Sequence, residues 1–163
     1  MTMTTYGRYI VVTYACSLVL AYPLGWMADR FHATRMGIGA LAVYGTIMGA
    51  GYFWISGPET FGAVFFAHVV LSGCYFTGTA ALGQMLFPKL KFAQFAAAGG
   101  ILLSVCNVAF GPFLGILLDL LGHDYRYTFG LSSLMAFIAL LLSLVVYYRF
   151  MAIGGPKGYV APE

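Results

Sequence analysis

Charge is what this sequence has least of. Only 8% of its 163 residues are charged, eight Lys/Arg and five Asp/Glu, against about 25% in an ordinary soluble domain. So few charges cannot clothe a domain of this length in a polar surface, which excludes water as its main solvent. The basic residues are scattered singly, so the formal net charge of +3 marks no polybasic patch and no nucleic-acid partner is expected. Cysteine is nearly as sparse. Cys16, Cys74 and Cys106 each sit alone in an apolar run, which points to small buried hydrophobes rather than a disulfide or a metal site. The chain has no Gly-x-Ser-x-Gly, no His-Glu-x-x-His and no glycine-rich phosphate loop. Catalytic residues, metals and cofactors are therefore not expected, and the protein does not read as an enzyme.

What is present is apolar: 61% of residues are hydrophobic and the mean hydropathy is +0.89. A bilayer core about 30 Å thick takes about 20 residues of helix, and five runs of that length occur, at 9–28, 36–55, 61–86, 92–118 and 127–148. These predict an all-α fold, a polytopic transmembrane bundle of about five helices over residues 1–150. A flexible cytoplasmic tail, 151–163, with Gly154, Gly155, Pro156 and Pro162 should follow. A single Arg8 precedes the first run and no small-residue cleavage site ends it, so it reads as a span rather than a leader.

Five spans put the two termini on opposite sides. Arg30, Arg35, Lys89, Lys91, Arg149 and Lys157 gather on one side, with only Arg8 and Arg126 on the other. By the positive-inside rule the N-terminus is outside and the C-terminus cytoplasmic. Tyr9, Trp26, Trp54, Tyr125, Tyr127, Tyr147 and Tyr148 lie near span ends, as an interfacial aromatic belt requires. The second span carries Gly45-x-x-x-Gly49 with Gly37, Ala42 and Gly51 nearby, a spacing that lets two helix backbones approach closely. The fifth is Leu-rich nearly all round and should face lipid.

Two stretches carry more specific information. Gly25, Asp29 and Arg30, followed by Arg35, stand between the first two spans in the pattern of the signature loop of the major facilitator superfamily, Gly-x-x-x-Asp-Arg/Lys-x-Gly; His32 occupies the place of its second glycine. Gly111, Pro112 and Gly115, then Asp119, Gly122 and Arg126, resemble that family's penultimate helix and the loop after it. A Gly-Pro pair inside a membrane helix frees a carbonyl and bends the helix. Together the two stretches give a resemblance covering nearly the whole chain and matching the last five of the family's twelve helices.

The resemblance implies transport of a small solute by alternating access, with an N-terminal half or another chain supplying the remaining helices. It also implies a plasma (inner) membrane and a pathway lined by the first, third and fourth spans. Without a nucleotide motif, such transport would be driven by gradients or be facilitative. The third span places His68, Ser72, Tyr75 and Thr79 on one helical face, and the fourth adds Ser104 and Asn107. His68 is the only titratable side chain deep in a span, and such groups are functional candidates by default. Besides the lipid bilayer, the expected partner is thus a small solute, a sugar or another uncharged molecule. A truncated membrane fragment or a helical interaction protein without transport activity is the alternative.

Overall fold

The structure, a computed structural model, describes residues 3–161. Pro162 and Glu163 of the tail lie outside the described residues, as does the side chain of Lys157. Eight helical segments follow one another: α1 (Met3–Phe31), α2 (Ala33–Trp54), α3 (Pro58–Thr79), α4 (Leu82–Leu86), a 3-10 turn (Lys89–Lys91), α5 (Phe92–Leu120), α6 (Arg126–Ala152) and α7 (Gly155–Gly158). No strand occurs among the described residues. Five helical stretches are long and apolar enough to cross a membrane, the third of them formed by α3 with α4. The protein is an all-α membrane protein.

Local chemistry sets the boundaries. The His32 side chain accepts from the Thr34 N–H at the start of α2, so α2 begins at Ala33, three residues before the apolar run. Pro58 opens α3, where a missing N–H costs nothing. The Thr60 hydroxyl accepts from the N–H groups of Ser56 and Gly57, each at 3.0 Å. The third apolar run, expected to be one helix, breaks after Thr79, where Ala80 turns back to the Thr77 carbonyl. Pro88 then ends α4, because the residue before a proline is pushed out of the helical region and Phe87 is extended. At the far end of α5, Gly122 takes φ 65° and the His123 N–H reaches the Leu118 carbonyl at 2.8 Å, a left-handed termination that favours glycine.

Glycine lets these helices meet. In hydrocarbon there is little hydrophobic gain in pairing, so close van der Waals contact and interhelical hydrogen bonds must hold a bundle together. At Gly51 of α2 an added Cβ would lie 2.5 Å from Val64 of α3. At Gly49 it would lie 2.9 Å from Ser133 of α6, and Gly45 has Phe137 at 3.3 Å. The glycine spacing read from the second span thus faces α6. Met48, Ile55, Val64 and Phe129 form the buried cluster, with Tyr44, Phe61 and Phe65 packed on it. On the other side α1 lies along α3, with Thr13 fully buried and its hydroxyl donating to the Tyr9 carbonyl.

One helix stands apart. α5 runs 29 residues without one buried residue, and its closest packing is with α4 and the 3-10 turn at its own root. Farther along, Phe110 and Leu114 face Leu41, Tyr44 and Met135 across an open cleft. α5 continues unbroken through Pro112.

Candidate functional site

Around the α1–α2 turn, Asp29 and Arg30 are exposed. No ion pair joins Asp29 to another described residue; the ion pairs found are Asp119–His123 and Asp124–Arg126. The Arg30 guanidinium sits over the Trp26 ring at 5.4 Å. Arg35 turns toward α6, its Nε donating to the Tyr147 hydroxyl at 3.1 Å. Gly25 has open space where a Cβ would go, so no other described helix packs closely against it. His32 has φ 73° and ψ 130°, a conformation that side chains other than glycine rarely adopt. Its ring stacks on Phe150 at 5.3 Å, and its buried Nε2 has no hydrogen-bond partner among the described residues. Burial, and secondarily the neighbouring Arg35 charge, hold its pKa below the ordinary 6.5.

Phe150 is buried beneath the tail. Tyr159 packs edge-on against it at 5.4 Å and donates its hydroxyl to the Leu86 carbonyl at 2.8 Å. Gly154 and Gly155, at φ 108° and 56°, turn the chain back to make this contact. Within the tail, expected to be flexible, Met151 and Ala152 continue α6, Gly155–Gly158 form α7, and Tyr159 is hydrogen-bonded to Leu86. Among the described residues this is the one hydrogen bond that ties the α4–α5 arm to the tail.

Of the polar residues of α3, His68, Tyr75 and Thr79 meet α2 rather than α5. His68 Nδ1 lies 2.7 Å from the Tyr44 hydroxyl, and Ser132 of α6 lines the same cleft as Tyr44. Phe129 stands edge-on to the His68 ring at 6.2 Å. Tyr75 and Thr79 lie by Gly37 of α2, with the Thr79 hydroxyl donating to the Tyr75 carbonyl at 2.7 Å. Ser72 bonds its own helix through the Val69 carbonyl. On α5, Ser104 donates to the Gly100 carbonyl, while Asn107 is exposed and has no hydrogen bond to another described residue. Gly111 and Gly115 have nothing near them. His68, Tyr75 and Thr79 are thus brought together along α2, and Ser104 and Asn107 are not joined to them.

Two participants were not singled out from sequence: Tyr44 and Thr34. Tyr44 falls between Leu41 and Met48 on the buried face of α2, and a hydroxyl on such a stripe is the signal that could have found it. At the opposite end of the bundle a second cleft lies between the 55–58 and 123–126 loops. Its rim carries Asp124, whose carboxylate accepts from Arg126 Nε at 2.9 and 3.0 Å; those bonds hold its pKa below the usual 3.8. No family model matches the chain, and no curated protein and no solved structure matches it at a significant level.

Proposed function

We propose that this chain is the C-terminal portion of a secondary transporter of the major facilitator type, carrying a small uncharged solute by alternating access together with helices supplied from outside these five. In this reading the His32 turn is cytoplasmic, in keeping with the basic residues gathered at that end. The observation that carries the reading is α5. α2, α3 and α6 share a packed core and α1 lies along α3, whereas α5 has no buried residue and holds Asn107 at mid-helix without a hydrogen bond to another described residue. An amide left in hydrocarbon without a partner is costly, so a further helix or a wetted pathway belongs against that face. The positive φ of His32 adds support, because it falls where the family's signature has glycine. Asp29 then belongs to a contact with the absent portion, which fits its lack of an ion pair here. The polar groups inside the spans are neutral apart from the titratable His68, which favours an uncharged solute.

The test is uptake in proteoliposomes that hold the chain together with the membrane protein that co-purifies with it from native membranes. Uptake of a neutral sugar or polyol that falls at least tenfold with Asp29→Asn supports the reading. Failure of every neutral solute to enter, with the complex intact, would favour a helical interaction protein.

A further inference from the structure

Charge gathers at the His32 end of the bundle and is almost all of one sign. Arg30 lies in the last turn of α1, Arg35 in the first turn of α2, Lys89 and Lys91 in the 3-10 turn and Arg149 in the last turn of α6. Asp29 is the only acidic residue described there, and none of these cations has an ion pair among the described residues. Arg35 is set in a defined geometry. Its Nε donates to the Tyr147 hydroxyl of α6 at 3.1 Å, and the guanidinium carbon lies 5.9 Å from the centre of the Tyr147 ring. The terminal amino groups of the guanidinium have no acceptor among the described residues, and the Tyr147 hydroxyl, which accepts from Arg35, keeps its own proton to donate. Two donors, one of them cationic, are thus held side by side with nothing in the described chain to receive them.

Position and charge select the ligand. α2 and α6 are both long and apolar enough to cross a bilayer, so a pair formed by the first turn of one and the end of the other lies at headgroup depth. Arg35, Gly39, Ala42 and Thr46 recur at helical spacing, in a stripe that contains none of the buried residues of α2. Nothing stands within 4 Å of the place where a Gly39 side chain would begin, and the Thr46 hydroxyl is turned back onto the Ala42 carbonyl at 2.8 Å. An apolar track therefore leads from Arg35 into the membrane. A guanidinium pairs with phosphate through parallel N–H bonds. A zwitterionic headgroup brings a cation as well, and with Asp29 as the one described acid at this end that cation meets mainly like charge. A headgroup of net negative charge meets no such opposition.

We propose that Arg35 and Tyr147 form a binding site for an anionic phospholipid, with the phosphate on the guanidinium and the tyrosine hydroxyl and an acyl chain along Gly39, Ala42 and Thr46. The site requires only that α2 and α6 cross a bilayer, so it stands or falls separately from the transport reading.

Native mass spectrometry tests it, with the full chain released from detergent micelles after titration with phosphatidylglycerol or with phosphatidylcholine. The wild type should hold one phosphatidylglycerol at least fivefold more tightly than phosphatidylcholine, and an excess of inorganic phosphate should not displace it. Arg35→Gln should bring the ratio below twofold, Tyr147→Phe should lower it at least twofold, and the double substitution Lys89→Gln, Lys91→Gln should leave it unchanged. Tyr147→Phe keeps the ring and decides the matter if Arg35→Gln does not fold. Equal binding of the two lipids, a preference that survives both site substitutions, an equal loss in the double lysine variant, or displacement by inorganic phosphate would overturn the assignment.

Discussion

The Ser133 hydroxyl donates to the Gly45 carbonyl across the α2–α6 contact at 2.7 Å, at a point where the absence of a side chain on Gly45 and Gly49 lets α6 come close. The bond and the close approach depend on each other. A hydroxyl can reach a backbone carbonyl of another helix only where the two backbones nearly touch.

Removing the bond and removing the space should therefore have different costs. Ser133→Ala loses one interhelical hydrogen bond, about 1 kcal/mol in a membrane bundle. Gly49→Val puts a branched side chain where even a Cβ would lie 2.9 Å from the Ser133 oxygen, an overpacking expected to cost about 1–3 kcal/mol. Reversible unfolding in mixed micelles should rank wild type above Ser133→Ala and Ser133→Ala above Gly49→Val.

At His32 the backbone should favour glycine. Both His32→Ala and His32→Gly give up the ring stack on Phe150 and the bond from the Thr34 N–H, but only glycine accepts φ 73° without strain. The glycine variant should be the more stable of the two by about 1 kcal/mol or more. Equal stability by the same unfolding measurement would count against a strained turn.

The histidine also sets a direction for pH. Its folded-state pKa lies below 6.5, so the unfolded chain takes up a proton first as pH falls. The contribution of His32 is fully present above pH 6.5 and is lost as pH falls from there through the lowered folded value. Unfolding curves from pH 7.5 down to 5 should show a decline that is smaller in His32→Gln.

Tyr159 offers a local readout. Tyr159→Phe keeps the ring on Phe150 and removes the hydrogen bond to Leu86, a loss of about 1 kcal/mol confined to the root of α5. Amide exchange across residues 83–91 should speed up about fivefold, with the amides of α2 unchanged. Equal exchange in the two proteins would show that the tail does not hold this segment.

Hydropathy made the five spans legible, because a helix must cover the bilayer thickness whatever its neighbours do. The α3–α4 break was harder to see. Neither Ala80 nor Ala81 is a helix breaker, and the break is made by the tertiary setting rather than by local propensity. The candidate site shows a related limit. Helical spacing puts His68, Ser72, Tyr75 and Thr79 on one face of α3, but it says nothing about which helix that face meets. Contacts such as Val64 on Gly51 and Thr79 beside Gly37 rotate the stripe toward α2. The Tyr159–Leu86 bond spans 73 positions, a separation at which local pattern carries no information.

α5, attached at its root and bare along its length, gives the chain two grades of cooperativity. Loss of the α2–α3–α6 core dissolves the whole bundle, whereas α5 can leave its position with that core intact. Heating should accordingly proceed in two steps, a low-enthalpy release followed by a cooperative transition, and no single midpoint describes the molecule. A partner that covers α5 would merge the two steps into one.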